Sequence, residues 1–549
     1  MNRTLLIIAA TLLAVSLDRP GLVTAGDLLS PVAAERLGLV ESWHRQLGTI
    51  GGASSIIDLQ VWTQHNKQRE YIEIVRADQT GKALENAAVL RRIPVDSRDS
   101  SGVVIGKAEA ERLAKLDVLK LTRRGIPATI RTTMVKQVRL YMLGSDGGVV
   151  AYDAESGETL WAIRIGNPLY GYGSLGISDG HVTVINGTTM YRIIADERQL
   201  DNSIAVGGRP LEPVRLDTIP ILGPVNTDSF VVVANIRQGL ECYSYNEVLG
   251  EPSSEMFSGQ ALAKPARFPA SSKVGWTTDQ GYFYLMETEG TPSTLFRLRT
   301  DGNVNGGVTP GSGDRFFFGS SGGRVYGILA TRSGDVLWNR SLGEPFYKAP
   351  FVDQENVLLA SSYGNLYNLS AKDGKQQWAA PAANIDTVFA RAGDHYFART
   401  ASGALTVLTR SSGQQTTLNQ HFIDQVVTNH ETDRVYLVSD GGMMQCLRPS
   451  VSELPTYYRD AAPPVAESAA TEATPKKEES ANPFGVAEPA APVADPFGAG
   501  TPASDPFSGG ADPFGGGTDP FGAGGGAGGG GGAGGGAGGG AGGGADPFK

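Results

Sequence analysis

A motif of about 40 residues recurs along this chain of 549 residues and constrains its fold more than any other feature. The clearest copy runs from Tyr141 to Trp161 and contains a short strand, a Gly turn, a second strand, a turn with Asp and Gly, and a final Trp. Further copies run from Phe316 to Trp338 and from Val357 to Trp378. A fixed period of about 40 to 45 residues with several short strands per unit is typical of a β-propeller.

The second strand of each unit gives an anchor from which the units can be counted. The anchors lie 39 to 49 residues apart and begin near Tyr141, Val182, Val231, Trp276, Phe316, Val357, Tyr396 and Val435. A further strand candidate precedes each anchor, which supplies four strands per unit. The sequence therefore predicts an all-β, eight-bladed propeller of four-stranded antiparallel blades, with the repeats at 138–449.

The last unit lacks its own Trp strand, and the beginning of the chain offers a replacement. Residues 39–48, around Trp43, are similar to residues 335–343, so we expect them to form the outer strand of the last blade and close the ring. Closure would remove two sheet edges that are otherwise open to aggregation.

Residues 51–137 match the repeat poorly and are predicted to form an irregular, α-containing insertion. The stretch from Lys107 to Leu119 has the Leu spacing of a helix with charges opposite. The segment from Arg76 to Lys136 holds 13 basic and 7 acidic side chains. Two interpretations stay open: a solvated charged face, or an element that makes peripheral contact with an acidic partner or anionic lipid headgroups.

The first residues have the features of a secretory signal peptide, predicted at 1–25. Arg3 supplies the positive charge, Leu5 to Leu17 the apolar stretch, and Val23 to Ala25 the small-residue cleavage site. The apolar stretch is short for a bilayer span. We therefore expect an exported protein with no integral membrane span after signal cleavage, in the periplasm, the extracellular space or the cell envelope, with the propeller at 26–450.

The distribution of charge limits the class of binding partner, and the positions of the cysteines bear on disulfide bonding. The formal net charge is −10, but the part from Ser450 onward holds 12 acidic and 4 basic residues. The folded part is thus close to neutral, and we expect no nucleic-acid binding. Cys242 and Cys446 belong to repeats that are not neighbours in the ring, which favours two buried thiols over a disulfide.

Residues 451–549 are rich in Pro, Gly and Ala and are predicted to be a disordered tail. It carries one Asn-Pro-Phe and five Asp-Pro-Phe tripeptides, whose first and last residues are Asn482 and Phe484, Asp495 and Phe497, Asp505 and Phe507, Asp512 and Phe514, Asp519 and Phe521, and Asp546 and Phe548. Regularly presented Phe side chains could bind a partner multivalently, since weak contacts add through effective concentration. The alternative that the tail is an expanded low-complexity repeat with no binding partner stays open.

The pattern Tyr-x-Leu-Asp-x-x-(Ser/Thr)-Gly-x-x-Leu-Trp resembles the repeat of the PQQ-like (pyrroloquinoline-quinone-like) β-propeller family. That repeat occurs in quinoprotein dehydrogenases and in BamB, the propeller subunit of the outer-membrane β-barrel assembly machinery. The resemblance covers residues 39–48 and 138–449. It implies that the repeat Trp docks on the neighbouring blade, which makes Trp161, Trp338, Trp378 and, by its likeness to them, Trp43 structural residues.

The resemblance also allows an enzymatic interpretation to be tested residue by residue. A quinoprotein dehydrogenase of this fold holds its quinone between a Trp and a vicinal Cys-Cys disulfide and binds Ca²⁺, whereas this sequence has no adjacent cysteines. Its six histidines lack the paired spacing of a zinc site, and no Gly-Lys-(Ser/Thr) phosphate loop occurs. We therefore expect no enzyme activity and no catalytic, cofactor-binding or metal-binding residues.

Together these features predict a non-catalytic scaffold for protein–protein interactions in the cell envelope, related to outer-membrane assembly or organisation, with envelope proteins as its partners. Two alternatives stay open. One is a quinone-binding oxidoreductase of the PQQ-dependent type, and the other is a propeller that binds a polysaccharide or another ligand.

Overall fold

The computed structural model describes residues 28–49, 51–78, 88–97, 103–195, 207–245 and 251–459. The predicted signal peptide lies outside the described residues. The six Asx-Pro-Phe tripeptides of the predicted tail lie outside them as well. Within the described part, the chain folds almost entirely into short antiparallel strands, as the sequence predicts.

The described residues form eight antiparallel sheets, numbered here in chain order. Sheet 1 contains β2 (Ile56–Arg76), β3 (Val89–Pro94), β4 (Ala128–Gly144), β5 (Gly148–Asp153) and β6 (Thr159–Arg164). Sheet 2 contains β7 (Gly176–Ile177), β8 (His181–Asn186), β9 (Thr189–Ile194), β10 (Arg209–Pro210) and β11 (Val214–Arg215), and sheet 3 contains β12 (Val225–Asn226), β13 (Phe230–Asn235), β14 (Gly239–Ser244) and β15 (Ser253–Met256). Sheet 4 contains β16 (Ala266–Arg267), β17 (Lys273–Thr277), β18 (Tyr282–Glu287) and β19 (Ser293–Arg299), and sheet 5 contains β20 (Thr309–Gly311), β21 (Arg315–Gly319), β22 (Arg324–Leu329) and β23 (Asp335–Ser341).

The remaining sheets complete the series. Sheet 6 contains β24 (Phe351–Val352), β25 (Asn356–Ala360) and β26 (Leu366–Ser370), sheet 7 contains β27 (Ile385–Ala392), β28 (His395–Thr400), β29 (Ala404–Thr409) and β30 (Gln415–Phe422), and sheet 8 contains β31 (Gln425–Val426), β32 (Val435–Val438), β33 (Met443–Pro449) and β1 (Leu39–Gln46). Two helices accompany them, α1 (Pro31–Arg36) and α2 (Gly106–Arg123).

Buried apolar clusters lie between each sheet and the next, so the sheets form a ring around an axis. Between sheets 4 and 5, for example, Phe283 packs against Phe316 and Phe318. The last cluster joins sheet 8 to sheet 1 through Tyr436 and Met142. Large apolar side chains on both sides of each contact make these clusters the main source of stability. The predicted all-β propeller architecture is confirmed.

Strand β1 joins the beginning of the described chain to the last strand of the repeats. It pairs antiparallel with β33, from Leu39 opposite Pro449 to Gln46 opposite Met443. The edge of β33 that would otherwise be open is thereby hydrogen-bonded to β1.

The repeat tryptophans connect neighbouring sheets by a recurring contact. Each indole Nε1 donates a hydrogen bond to a backbone oxygen of the following sheet, at 2.8 to 3.2 Å, in the pairs Trp43–Ala154, Trp161–Ala195, Trp338–Ala371 and Trp378–Arg410. The indole rings also lie against glycines with positive φ, which are Gly157, Gly208, Gly374 and Gly413, respectively. Because a Cβ at any of these glycines would stand within 3 Å of the indole, only Gly allows the ring to approach so closely.

Two of these contacts depart from the usual form of the repeat. Sheet 4 places Phe296 against Gly334 of sheet 5. In sheet 6, Trp378 lies outside the assigned strands, next to the isolated bridge between Leu369 and Gln376.

The stretch from 51 to 137 has two structurally different parts. Residues 56–63 of β2 pair with the last residues of β4 as the first strand of sheet 1. Beyond a bulge, residues 68–76 pair with 128–136, and β3 and α2 complete an arm that projects from the ring. The arm has its own small core, in which Ala110 and Ala114 of α2 pack against Ile72 and Ile74. Thus the arm, rather than the whole stretch, departs from the repeat.

The predicted helix is present as α2, but its buried face agrees only in part with the one that the Leu spacing indicated. Leu116 and Leu119 are exposed, whereas the small residues Ala110 and Ala114 are fully buried. Small side chains let the helix approach the strands closely, and Leu113 packs partly buried beside them while Leu116 and Leu119 remain in solvent.

The first nine residues of the segment predicted as tail pack on the ring. Tyr458 and Arg459 are buried, and the backbone N–H of Tyr458 donates to the oxygen of Glu431 at 2.8 Å. Cys242 and Cys446 are both free and buried, in different clusters, as the sequence predicts.

Replacing Gly374 by Ala tests how much the ring depends on indole docking. The new Cβ would stand 2.6 Å from the Trp338 ring at a φ of +68°, so we expect the free energy of unfolding to fall by about 2 to 4 kcal/mol. Gly343→Ala is the matched control, because Gly343 has a φ of +77° but no atom within 4 Å of the place that a new Cβ would take. The free energy of unfolding of this variant should fall by only about 1 kcal/mol, the cost of placing Ala in a left-handed backbone conformation. Urea unfolding followed by Trp fluorescence measures both, and equal losses would contradict the docking argument.

Candidate interaction faces of the ring

The connections between strands fall on two faces of the ring, because the strands of each sheet are antiparallel. One face, called the upper face, is formed by the connections that enter the first strand of each sheet and by the turns between second and third strands. The lower face carries the turns between first and second and between third and fourth strands. The arm joins β2 to β4 and therefore belongs to the lower face. First strands contact one another between sheets 2 and 3 and from sheet 4 to sheet 7.

Large apolar side chains are exposed on the upper face. They lie in the connections of sheets 1 to 6 and are Leu169, Tyr170, Ile219, Ile236, Leu262, Tyr347 and Tyr363. Leu169 is 89% exposed and Tyr363 is 70% exposed, so neither contributes to the folded core. Single exposed apolar residues are ordinary, but several on one face indicate a surface that other molecules contact.

A cavity of about 520 Å³ opens among the first strands of sheets 5 to 8. Its wall contains Asp386, whose carboxylate accepts hydrogen bonds from Arg399 Nη2 at 2.6 Å and Nε at 3.1 Å and also contacts Lys348. Burial would raise the pKa of Asp386, but the hydrogen bonds from Lys348 and Arg399 outweigh it and lower the pKa. The carboxylate therefore stays charged at neutral pH, and two cations surround one anion beside the apolar side chain of Tyr347.

His430 lies in the wall of the same cavity and has a structural environment. Its ring stacks on Phe351 with centroids 4.7 Å apart, and the backbone N–H of Val352 donates to Nδ1 at 3.4 Å. Burial, followed by the charge of Arg459, holds the pKa of His430 well below its usual range. The imidazole is thus neutral at physiological pH and acts as an acceptor inside the ring.

Part of the lower side is covered by the chain itself. Residues 451–459 lie against sheets 7 and 8 and the arm: the guanidinium of Arg391 stands 4.1 Å from the ring of Tyr458, and the hydroxyl of Tyr457 donates to the oxygen of Lys136 at 2.7 Å. Arg459 pairs with Glu431 at 3.2 Å. These contacts bury the apolar surface that the two tyrosines would otherwise expose.

A second group of buried charges ties the lower side of sheet 8 to sheet 1. The guanidinium of Arg434 is fully buried and pairs with Glu155 and Asp433, both at 2.8 Å. Arg69 at the base of the arm pairs with Asp153 at 3.2 Å. Buried charges of this kind persist only when they are paired, so the network orients the arm on the ring.

Many basic side chains of the arm are paired within the chain. Besides Arg69, ion pairs with acidic residues are formed by Arg91 with Asp117, Arg92 with Glu73 and Glu453, Lys107 with Glu70, Arg112 with Glu109, Lys120 with Asp117, and Arg131 with Glu73. This compensation favours the solvated charged face. Peripheral contact with anionic lipids or an acidic partner through the arm stays a prediction.

The residues singled out from the sequence fall into two groups. The four tryptophans lie between sheets, far apart from one another, and are not gathered in one site. The Asx-Pro-Phe residues lie outside the described part of the chain. The upper-face residues were missed, although large apolar side chains within predicted turns, such as Leu169 and Tyr170, could have indicated them.

The described residues contain no group of three or more His, Cys, Asp and Glu side chains that could hold a metal ion. Neither helix in this part of the chain is both long and apolar enough to span a membrane.

Comparison with known proteins places the repeats in context. Residues 269–444 match the family model described as outer membrane protein assembly factor BamB, in agreement with the resemblance predicted from the sequence. This match spans sheets 4 to 8, up to β33. The search of curated proteins finds no match.

Several solved structures are similar to this chain. BamB from Moraxella catarrhalis is 16% identical, with a TM-score of 0.43, and the match covers 56% of this chain and 91% of that one. The computationally designed Ika8 protein is 14% identical with a TM-score of 0.42, covering 56% of this chain and 92% of that one. Sqt1 from Saccharomyces cerevisiae is 11% identical with a TM-score of 0.42 and the same coverage. These distant likenesses carry no argument about function.

The arm offers a pH-dependent test of its buried carboxylate. Burial would raise the pKa of Glu73, but hydrogen bonds from Arg131, Thr133 and Arg92 outweigh it and lower the pKa. A lowered pKa stabilises the folded arm at pH values above the unfolded pKa, about 4.3, and the stabilisation is lost as the pH falls through the folded value. At pH 7, Glu73→Gln should therefore destabilise the arm by about 2 kcal/mol.

Hydrogen exchange of amides in residues 70–76 and 129–134 measures this loss directly. The difference between Glu73→Gln and the wild type should shrink as the pH approaches 3, because the wild-type carboxyl is then protonated as well. Glu109→Gln is the matched control, since Glu109 pairs with Arg112 on the exposed side of α2 and should leave exchange unchanged. A constant difference across the pH range would contradict the assignment.

Proposed function

We propose that this protein is an exported, non-catalytic propeller that holds other proteins in place in the cell envelope, and that it binds them through its upper face. The observation that carries the proposal is the set of exposed apolar side chains on that face, which runs from Leu169 in the connection after sheet 1 to Tyr363 in sheet 6. The lower side is already contacted by residues 451–459. The exposed apolar side chains of the lower side belong to the arm, α1 and Val451, whereas those of the upper face lie in successive connections of the ring.

The chemistry of the upper face suits a protein partner. Tyr347 and Tyr363 supply large, stiff side chains that are common in the centres of interfaces. Beside them, Lys348, Asp386 and Arg399 form an ion-paired group with one excess positive charge. A partner with an apolar anchor and a nearby carboxylate would complement both features.

The finer assignment, a role in outer-membrane assembly or organisation, is supported by the match of residues 269–444 to the BamB family model. That family is described as an outer membrane protein assembly factor, and we extend the description to this chain as part of the proposal. The Asx-Pro-Phe tripeptides of the tail would add a second, multivalent means of recruitment.

A photo-crosslinking amino acid placed in the full chain tests which face binds. Positions 347 and 363 probe the upper face, while positions 119 and 336 are controls, because Leu119 and Val336 are exposed on the arm and on an outer strand. We expect discrete adducts with the same envelope proteins from both upper-face positions and none from the controls. Adducts from position 119 alone would move the interaction to the arm and contradict the proposal.

The variant Tyr363→Asp tests how much binding free energy the upper face contributes. A charge in the centre of an interface should cost about 2 kcal/mol of binding, which lowers the yield of the position-347 adduct by more than tenfold. Leu119→Asp is the matched control and should leave that yield unchanged.

A chain that ends at Arg459 separates the tail from the ring while keeping the packed residues 451–459. If this chain loses every adduct, recruitment depends on the tail.

A further inference from the structure

A second cavity lies on the lower side of the ring, and the proposed upper-face interaction does not use it. It has a volume of about 500 Å³ and is bounded by sheets 5, 6 and 7. All ten residues that line it have polar or charged side chains. A wall of this composition does not suit an apolar ligand, while the volume suits one or two sugar rings.

The charges in this wall are unbalanced. Arg315, Lys372 and Arg410 are its cations, and Glu355 is its carboxylate. Arg410 uses Nη2 to contact Glu355. Within the described part of the chain, neither Arg315 nor Lys372 has an ion pair among the salt bridges found there. The cavity therefore offers two cationic groups to an anion, and a third that is shared with Glu355.

Three buried polar atoms in the same wall lack a hydrogen-bond partner in the described structure. They are the Nε atoms of Arg315 and Arg410 and the Oδ1 atom of Asn368. Asn368 is only 1% exposed. Leaving such atoms unpaired is unfavourable, so a polar ligand in the cavity that reached them would be stabilised.

The unpaired atoms define the chemistry that would satisfy them. The Nε and Nη atoms of a guanidinium form a fork that matches the two oxygens of a carboxylate or phosphate. An amide oxygen such as that of Asn368 accepts a hydrogen bond from a hydroxyl group. Amide and hydroxyl side chains fill most of the remaining wall and can bind further hydroxyls.

We propose that this lower cavity binds an acidic saccharide, an oxyanion carried on a polyhydroxylated ring. Arg315 and Lys372 bind the oxyanion, Arg410 supports it, and Asn368 accepts a hydrogen bond from a sugar hydroxyl. The oxyanion is either the carboxylate of a uronic acid or the phosphate of a phosphorylated sugar. Both sources share the same recognition chemistry.

Isothermal titration of the full chain with four probes tests the proposal. The probes are digalacturonic acid, glucose 6-phosphate, neutral maltose and inorganic phosphate. We expect one of the two acidic saccharides to bind at least about tenfold more tightly than both maltose and inorganic phosphate, since it engages the cations and the amides together. Which of the two binds identifies the oxyanion.

Two variants connect the binding to the cavity. Arg315→Gln and Lys372→Gln should each weaken the affinity for the acidic saccharide at least about fivefold, and Lys372 is exposed, so its replacement does not threaten folding. Arg299→Gln, an exposed arginine on sheet 4, is the matched control and should leave the affinity unchanged. Circular dichroism checks that Arg315→Gln folds.

Three results would overturn the proposal. Acidic saccharides that bind no better than maltose would exclude an oxyanion site. Inorganic phosphate that binds as tightly as the saccharides would show an adventitious ion only. An affinity unchanged in both Arg315→Gln and Lys372→Gln would place the ligand elsewhere on the molecule.

Discussion

The pairing of β1 with β33 joins two segments that are about 400 residues apart in the chain, and the ring depends on it. Sheet 8 contains three strands from the end of the repeats and takes its outer strand from the beginning of the chain. Without β1, β33 would present an open edge, and Trp43 could not bond to Ala154 of sheet 1. Closure therefore supplies both a backbone ladder and the side-chain contact that joins the last sheet to the first.

The same local contact recurs at four junctions between neighbouring sheets of the described chain. An indole lies against a glycine with positive φ and donates to the backbone oxygen of the following sheet, as Trp338 does with Gly374 and Ala371. The glycine has two roles, since its conformation makes the turn and its missing Cβ makes room for the ring. Sheet 4 replaces the indole with Phe296, which keeps the packing but has no donor.

The two faces of the ring then become chemically different. Buried ion pairs such as Arg434 with Glu155 fasten sheet 8 to sheet 1, and residues 451–459 contact sheets 7 and 8 and the arm. The connections on the upper face carry exposed aromatic and aliphatic side chains, while those exposed on the lower side belong to the arm, α1 and Val451. This asymmetry supports the proposed docking of a protein on the upper face, while the polar cavity between sheets 5 and 7 supports a separate small ligand.

The sequence alone determined the repeating unit, because strand alternation, turn glycines and the docking Trp all act over short distances along the chain. It predicted the propeller architecture and the helix α2, but placed exposed leucines such as Leu116 on the buried face of that helix. Only the tertiary structure decided which residues meet across sheets. Tyr170, Ile219 and Tyr363 share a face, and Arg315 and Arg410 share a cavity, although each set is scattered along the chain. The ring geometry brings them together, and no local pattern in the sequence records that geometry.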